Sequence, residues 1–91
     1  MVGTSAVKYK LMPESLSVDL KKLTEEAKVK ITEKGGVFNS AVEEPIAFGL
    51  KALVIFFAYP ENKEIDEVGN DLEKIPGVSS CEMIDYRRAI G

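Results

Sequence analysis

Val7, Tyr9 and Leu11 interleave with Lys8 and Lys10, a period of two that sends the apolar set to one face of a strand and the lysines to the other. Met12-Pro13-Glu14-Ser15 breaks the pattern, because proline fixes its own backbone and biases Met12 away from helix. The period then changes: Leu20, Leu23, Ala27 and Ile31 recur at helical spacing through Lys34, with Ser17 and Asp19 as candidate caps and Gly35-Gly36 as the left-handed stop. Residues 37–42 read as a weaker strand suited to a sheet edge, with Phe38 and Val42 two steps either side of Ser40. Residues 50–59 are the most apolar stretch, with Leu53, Ile55 and Phe57 on one face and Ala52, Val54 and Phe56 on the other, which predicts a central strand. After Pro60-Glu61-Asn62-Lys63, the spacing of Ile65, Val68, Leu72 and Ile75 predicts a second amphipathic helix. Glu64, Asp66 and Glu67 fill its first turn, where the helix dipole favours acids, and Pro76-Gly77 stops it. A last strand runs from Val78 towards Tyr86 with Cys81 and Met83 on it; Ile84 falls on the opposite parity and leaves the register open.

Strand, helix, strand, strand, helix, strand, joined by right-handed crossovers, closes into an α+β, ferredoxin-like βαββαβ fold. This is a four-stranded antiparallel sheet with two helices on one face and the other face open to solvent or a partner. The 91 residues allow one domain, 1–91, around one modest core. Hydrophobic content of 45% beside 30% charge is the balance of a globular chain whose own core suffices to fold it, so no cofactor is expected. The apolar run at residues 53–59 is far short of the roughly 20 residues a membrane helix needs, and no signal-like segment opens the chain, so the expected location is cytoplasmic.

The count of histidines is zero, which removes Ser-His-Asp and Cys-His nucleophilic sites and His-ligated zinc. With Cys81 as the one cysteine, no internal disulfide or multi-Cys metal site can form, and a reduced, buried thiol is expected. A net charge of −3 argues against direct nucleic-acid binding. The fold hosts many activities, so sites must decide among them. Metal-chaperone domains of this shape need paired cysteines in the first loop, and RNA-recognition domains need a glycine-rich, basic, aromatic third strand. Both are missing here. An acylphosphatase needs an arginine or a backbone nest near that first loop to hold phosphate, yet the loop offers Glu14 and no arginine, and the glycine patterns of phosphate loops are absent as well. Glu25-Glu26 and Glu43-Glu44 are adjacent carboxylates with nothing marking them as an acid/base pair.

Two segments stand out. Glu44-Pro45-Ile46-Ala47-Phe48-Gly49 is a connection with an apolar middle, in which Phe48 beside flexible Gly49 either projects or folds back with Ile46 as a lid on the core. Asp85-Tyr86-Arg87-Arg88-Ala89-Ile90-Gly91 places two arginines near the chain's end, either to enter an acidic or phosphate-bearing cleft or to stay solvated. The outer sheet face, with Val54 and Phe56, is a further interaction candidate unless the stems of Lys8 and Lys10 cover it.

Met12-Pro13-Glu14-Ser15, Val18-Asp19-Leu20, Glu43-Glu44-Pro45-Ile46-Ala47-Phe48-Gly49-Leu50, Gly77-Val78-Ser79 and Asp85-Tyr86-Arg87-Arg88, taken in this order, resemble the archaeal elongation factor 1-beta family. The resemblance implies a guanine-nucleotide exchange factor that binds GDP-bound and nucleotide-free elongation factor 1-alpha, promotes GDP release, and makes or breaks no bond itself. In similar eukaryotic catalytic domains an aromatic of the loop before the third strand enters a pocket of the GTPase, which carries over to Phe48, flanked by Pro45, Ile46 and Gly49. A lysine near the C-terminus disturbs the magnesium and phosphate region; that position falls on Arg88, a bulkier, planar cation, with Arg87 as the alternative and aromatic Tyr86 just before it. The resemblance implies the exchange unit alone. The rival reading is a small-ligand-binding or scaffolding ferredoxin-like domain that pairs through its open sheet face.

Overall fold

Among residues 3–88, the part of the chain that the computed structural model describes, these patterns become six elements. They are β1 (Thr4–Pro13), α1 (Leu20–Glu33), β2 (Val37–Pro45), β3 (Lys51–Pro60), α2 (Ile65–Glu73) and β4 (Val78–Arg88). The strands form a four-stranded antiparallel sheet in the order β2-β3-β1-β4, which is the ferredoxin-like arrangement. β3, apolar on both faces, is internal, and β2 and β4 are the edges.

Both helices cover one face. Leu23, Ala27 and Ile31 of α1 and Val68 and Leu72 of α2 bury themselves against Val7, Tyr9 and Leu11 of β1 and Leu53, Ile55 and Phe57 of β3. Tyr9 stacks on Phe57 with ring centres 5.9 Å apart, and Tyr59 meets Phe57 edge-on at 6.3 Å. Of the two cap candidates before α1, Asp19 does the capping: its Oδ1 accepts from the backbone N–H groups of Lys21 at 2.9 Å and Lys22 at 3.4 Å, while Ser17 bonds to Ser15 instead.

The structure corrects the pattern in four places. β1 continues through Met12 and ends on Pro13, a terminal strand position where a missing N–H is tolerated. β2 continues through Glu43, Glu44 and Pro45, paired with Leu53, Ala52 and Lys51, so the predicted connection shrinks to residues 46–50; Pro45 is accommodated because it closes an edge strand. α2 stops at Glu73, and Ile75 enters the core from the turn beyond it, with its N–H bonded to the Leu72 carbonyl. The parity of Ile84 is explained by a β-bulge: Asp85 opposes Lys8 and Met83 opposes Tyr9, leaving Ile84 without a partner. Similar register shifts skip Ser79 in β4 and Asn39 in β2. All three fall on edge strands, where extra twist discourages pairing with a foreign strand.

Candidate partner-binding surface

Residues 46–50 close the β2–β3 hairpin. The N–H of Ile46 donates to the Leu50 carbonyl and the N–H of Leu50 to the Ala47 carbonyl, each at 2.9 Å. The two central residues, Phe48 at φ 54° and Gly49 at φ 78°, both have positive φ, the requirement of a type I′ turn, whose twist matches that of the flanking strands. Glycine takes this conformation without cost at the second position. A bulky residue at the first costs about 1–2 kcal/mol, because its Cβ crowds the following carbonyl. Phe48 is nonetheless there, and its side chain is 94% exposed. It does not fold back as a lid. Ile46 and Leu50 at the base of the turn are half-buried, and Pro45 is exposed.

The loop between β1 and α1 lies beside this turn. The N–H of Glu14 donates to the Gly77 carbonyl at 2.9 Å and the N–H of Gly77 returns a bond to Glu14 Oε1 at 3.1 Å, tying the loop to the turn before β4. The N–H of Val18 donates to the Ser15 carbonyl at 3.4 Å, and Ser15 Oγ accepts from the N–H of Ser17 at 3.3 Å. Leu16 stands at the outer corner of that turn, 69% exposed. A methyl group built on Gly49 would lie 3.5 Å from Leu16 Cδ2, so the two turns are in van der Waals reach. A groove of about 560 Å³ runs behind them, between the hairpin base and the start of α1.

Tyr86, Arg87 and Arg88 lie elsewhere. Ser5 opposes Arg88 and Ala6 opposes Arg87 at the start of β1, next to the end of β3, where Thr4 opposes Pro60. The hairpin tip is at the other end of β3, beside Lys51. Nine steps along a strand at about 3.3 Å each separate these ends by roughly 30 Å. The structure therefore brings Pro45, Ile46, Phe48 and Gly49 together, and Tyr86, Arg87 and Arg88 together, but not the two groups. Ala89, Ile90 and Gly91 lie outside the described residues.

The arginines diverge. Arg88 shares the parity of Ser5 on the helix side of the sheet, whereas Arg87 shares that of Ala6 on the open side, where its Nε is 3.2 Å from Asp85 Oδ2. Arg88 has no ion pair among the described residues. Tyr86 is fixed by Ser5, whose buried Oγ donates to the Tyr86 hydroxyl at 2.9 Å.

On the open sheet face, Lys8 Nζ sits 4.8 Å above the Phe56 ring and Lys10 Nζ is 3.8 Å from Glu44 Oε1. Val54 is 3% exposed in the single chain, covered by lysine stems and cross-strand neighbours, while Phe56 is half-buried and Val42, opposite Val54 on edge strand β2, remains 50% exposed. Glu43 turns the other way, 3.5 Å from Lys51 Nζ, so the adjacent acids Glu43 and Glu44 serve separate ion pairs on opposite faces. Cys81 is half-buried rather than buried. Burial, with a smaller push from Glu73, raises its thiol to about 12 and keeps it protonated and unreactive at neutral pH. Neighbouring Tyr9 is likewise raised to about 12, by burial first and then by Cys81, Asp66 and Tyr59. Among the described residues no group of three His, Cys, Asp or Glu could hold a metal ion, and no helix is long and apolar enough to cross a membrane.

Leu16 is the surface residue that the sequence pattern missed. It is the lone apolar residue among Pro13, Glu14, Ser15 and Ser17, and that isolation was the available signal.

Residues 6–88 match the model of the EF-1 guanine nucleotide exchange domain. Elongation factor 1-beta of Methanosarcina acetivorans is 36% identical over 88 residues, 96% of this chain and 99% of that protein. Elongation factor 1-beta of Pyrobaculum neutrophilum is 39% identical over 90 residues, 97% of each chain, and that of Nanoarchaeum equitans 40% over 80 residues, 87% of this chain and 98% of its own.

Proposed function

The chain belongs to the EF-1 guanine nucleotide exchange domain family, and on that premise we propose that it speeds GDP release from elongation factor 1-alpha by docking Phe48 into an apolar pocket of that GTPase. It is a guanine-nucleotide exchange factor, and its work is to change an affinity. Linkage sets the requirement: if the factor binds the nucleotide-free GTPase more tightly than the GDP-bound one, it lowers the GTPase's affinity for GDP by the same factor, typically about 1–3 kcal/mol. The action belongs to translation elongation, in the cytoplasm, with the whole chain serving as one exchange unit.

The observation that carries the reading is Phe48 itself, 94% exposed and held at φ 54°. Strain kept at a solvent-exposed aromatic serves no packing purpose, and such outliers gather at binding sites. The turn that carries the ring is already closed, so docking orders little further backbone, and the roughly 1.5–3 kcal/mol from burying the ring is offset mainly by the loss of its own rotamer freedom. At the other end Arg88, exposed and without an ion pair among the described residues, is suited to compete with magnesium for the phosphate region, while Arg87 is engaged by Asp85. Pro45, Ile46 and Gly49 shape the hairpin that carries the anchor, and Tyr86, held by Ser5, fixes the strand that carries the arginines.

Release of fluorescent GDP from the archaeal elongation factor 1-alpha, timed with and without this protein, tests the reading. Acceleration that saturates with added protein is expected. An unchanged release rate at saturating protein overturns it.

A further inference from the structure

Leu16 and Phe48 are, among the described residues, the two large apolar side chains most exposed to solvent, at 69% and 94%. Single exposed leucines are ordinary on protein surfaces and need no explanation. These two are not scattered. Each occupies the outward corner of a hydrogen-bonded turn, Leu16 between Ser15 and Val18 and Phe48 between Ala47 and Leu50, and the turns meet where Leu16 approaches the bare α-carbon of Gly49.

From this juxtaposition we infer that Leu16 is a second apolar anchor, gripping the same surface of elongation factor 1-alpha as Phe48, with the turn that carries Phe48 lying beside it at Gly49. The inference rests on the docking role given to Phe48 and extends that interface onto the β1–α1 loop. The occupant of this end of the molecule is the GTPase, because continuity with the hairpin leaves no separate surface for another partner. Its chemistry follows from the prongs: a concave apolar patch wide enough for an aromatic ring and an isobutyl group carried on adjoining turns. The loop's backbone bonds to Gly77 and the capped start of α1 hold Leu16 in place before docking, as the hairpin holds Phe48.

An anchor of this kind acts on binding. The concentration of protein giving half-maximal GDP release should therefore rise for Leu16→Ala while the release rate at saturation stays unchanged. The experiment titrates the fluorescent-GDP complex of the partner with the full chain, its Leu16→Ala, Phe48→Ala and Val29→Ala variants, and the Leu16→Ala/Phe48→Ala double variant. Val29 is 53% exposed on α1, in a groove with Lys74 and Pro76, and serves as an equally apolar surface control. About a tenfold rise in the half-saturating concentration is expected for Leu16→Ala, with none for Val29→Ala and a double-variant loss that differs from the product of the single losses, as for residues that share one partner surface. Unchanged thermal midpoints confirm that the exposed side chains were not holding the fold. If Phe48→Ala weakens exchange and Leu16→Ala does not, the second anchor is overturned and the hairpin reading survives. If Val29→Ala weakens exchange as much as Leu16→Ala, the effect is not local and the inference is overturned. If Phe48→Ala changes nothing, the hairpin reading falls and takes the second anchor with it.

Discussion

At the end of the sheet where β2 turns into β3, two large apolar side chains, Phe48 and Leu16, stand exposed, each on a closed turn, beside the paired charges of Glu43, Glu44 and Lys51. At the end where β4 runs beside the start of β1, the exposed side chains around Tyr86 are the cations Arg87 and Arg88 beside Asp85. Apolar contacts depend on shape and buried area and respond little to ionic strength, whereas exposed charges are screened over about 10 Å at moderate salt. The roughly 30 Å between the ends, set by strand rise, exceeds any small-molecule site, so one ligand touching both must be a macromolecule lying along the sheet. The separation turns a pair of candidate segments into a statement about partner size.

The largest effect is expected when Phe48 is replaced by the residue its backbone prefers. Phe48→Asn gives the turn an Asn-Gly pair, the favoured sequence for positive φ at both positions. Stability should rise by about 1 kcal/mol, a shift of roughly 4–8 °C in thermal midpoint for a domain of this size. The second-order rate constant of GDP release should fall about thirtyfold, the equivalent of an anchor worth about 2 kcal/mol. Opposite signs separate docking from folding. A variant that loses stability and exchange together would show Phe48 to be a structural residue.

Much of this was readable in the chain. Tyr9, Leu23, Leu72 and Phe57 announce their faces because periodicity is a local property, fixed by the geometry of one element. Phe48-Gly49 could be read as a turn, since glycine supplies the positive φ at the second position, but the exposure of Phe48 depends on how far β2 extends, and β2 ran three residues past its expected end. Ile84 was opaque for a related reason: a bulge exists only between two strands, and the period of one strand cannot report it. The loop around Leu16 is otherwise polar and carries no period, and what sets Leu16 apart is a neighbour 33 positions away in sequence, Gly49.

The cationic end yields a smaller effect and a way to choose between its arginines. Arg88→Ala should slow GDP release at saturating protein by about tenfold, the size of one charge-assisted contact, while Arg87→Ala, already occupied by a surface pair worth about 0–1 kcal/mol, should change it less than about twofold. Raising the salt should erase most of the Arg88 effect and leave the Phe48 effect standing. Equal losses from both arginines, or a Phe48 effect that salt also erases, would show that the two ends do not differ in kind.

Gly49 tests the apolar end through its backbone. At φ 78° an alanine carries a left-handed penalty of about 1 kcal/mol, and its Cβ would meet Leu16 Cδ2 at 3.5 Å, an ordinary contact, so strain and not collision sets the cost. Gly49→Ala should lower stability by that amount in denaturant titration. Unchanged stability would mean that the turn is not held in the conformation described.

The smallest effect is expected between the two ends, on the open face. Lys8 sits 4.8 Å above the Phe56 ring, an exposed cation–π contact worth about 0.5–1 kcal/mol, and its stem shields that ring from water. Lys8→Ala should cost about that much stability and leave GDP release within twofold, roughly the noise of the other surface changes. The two readouts bear on different questions. The stability loss asks whether the lysine covers the sheet, and the exchange rate asks whether the sheet touches the partner. A large loss of exchange with stability intact would place the GTPase on the open face, and the division into an apolar end and a cationic end would give way to one continuous contact running the length of the strands.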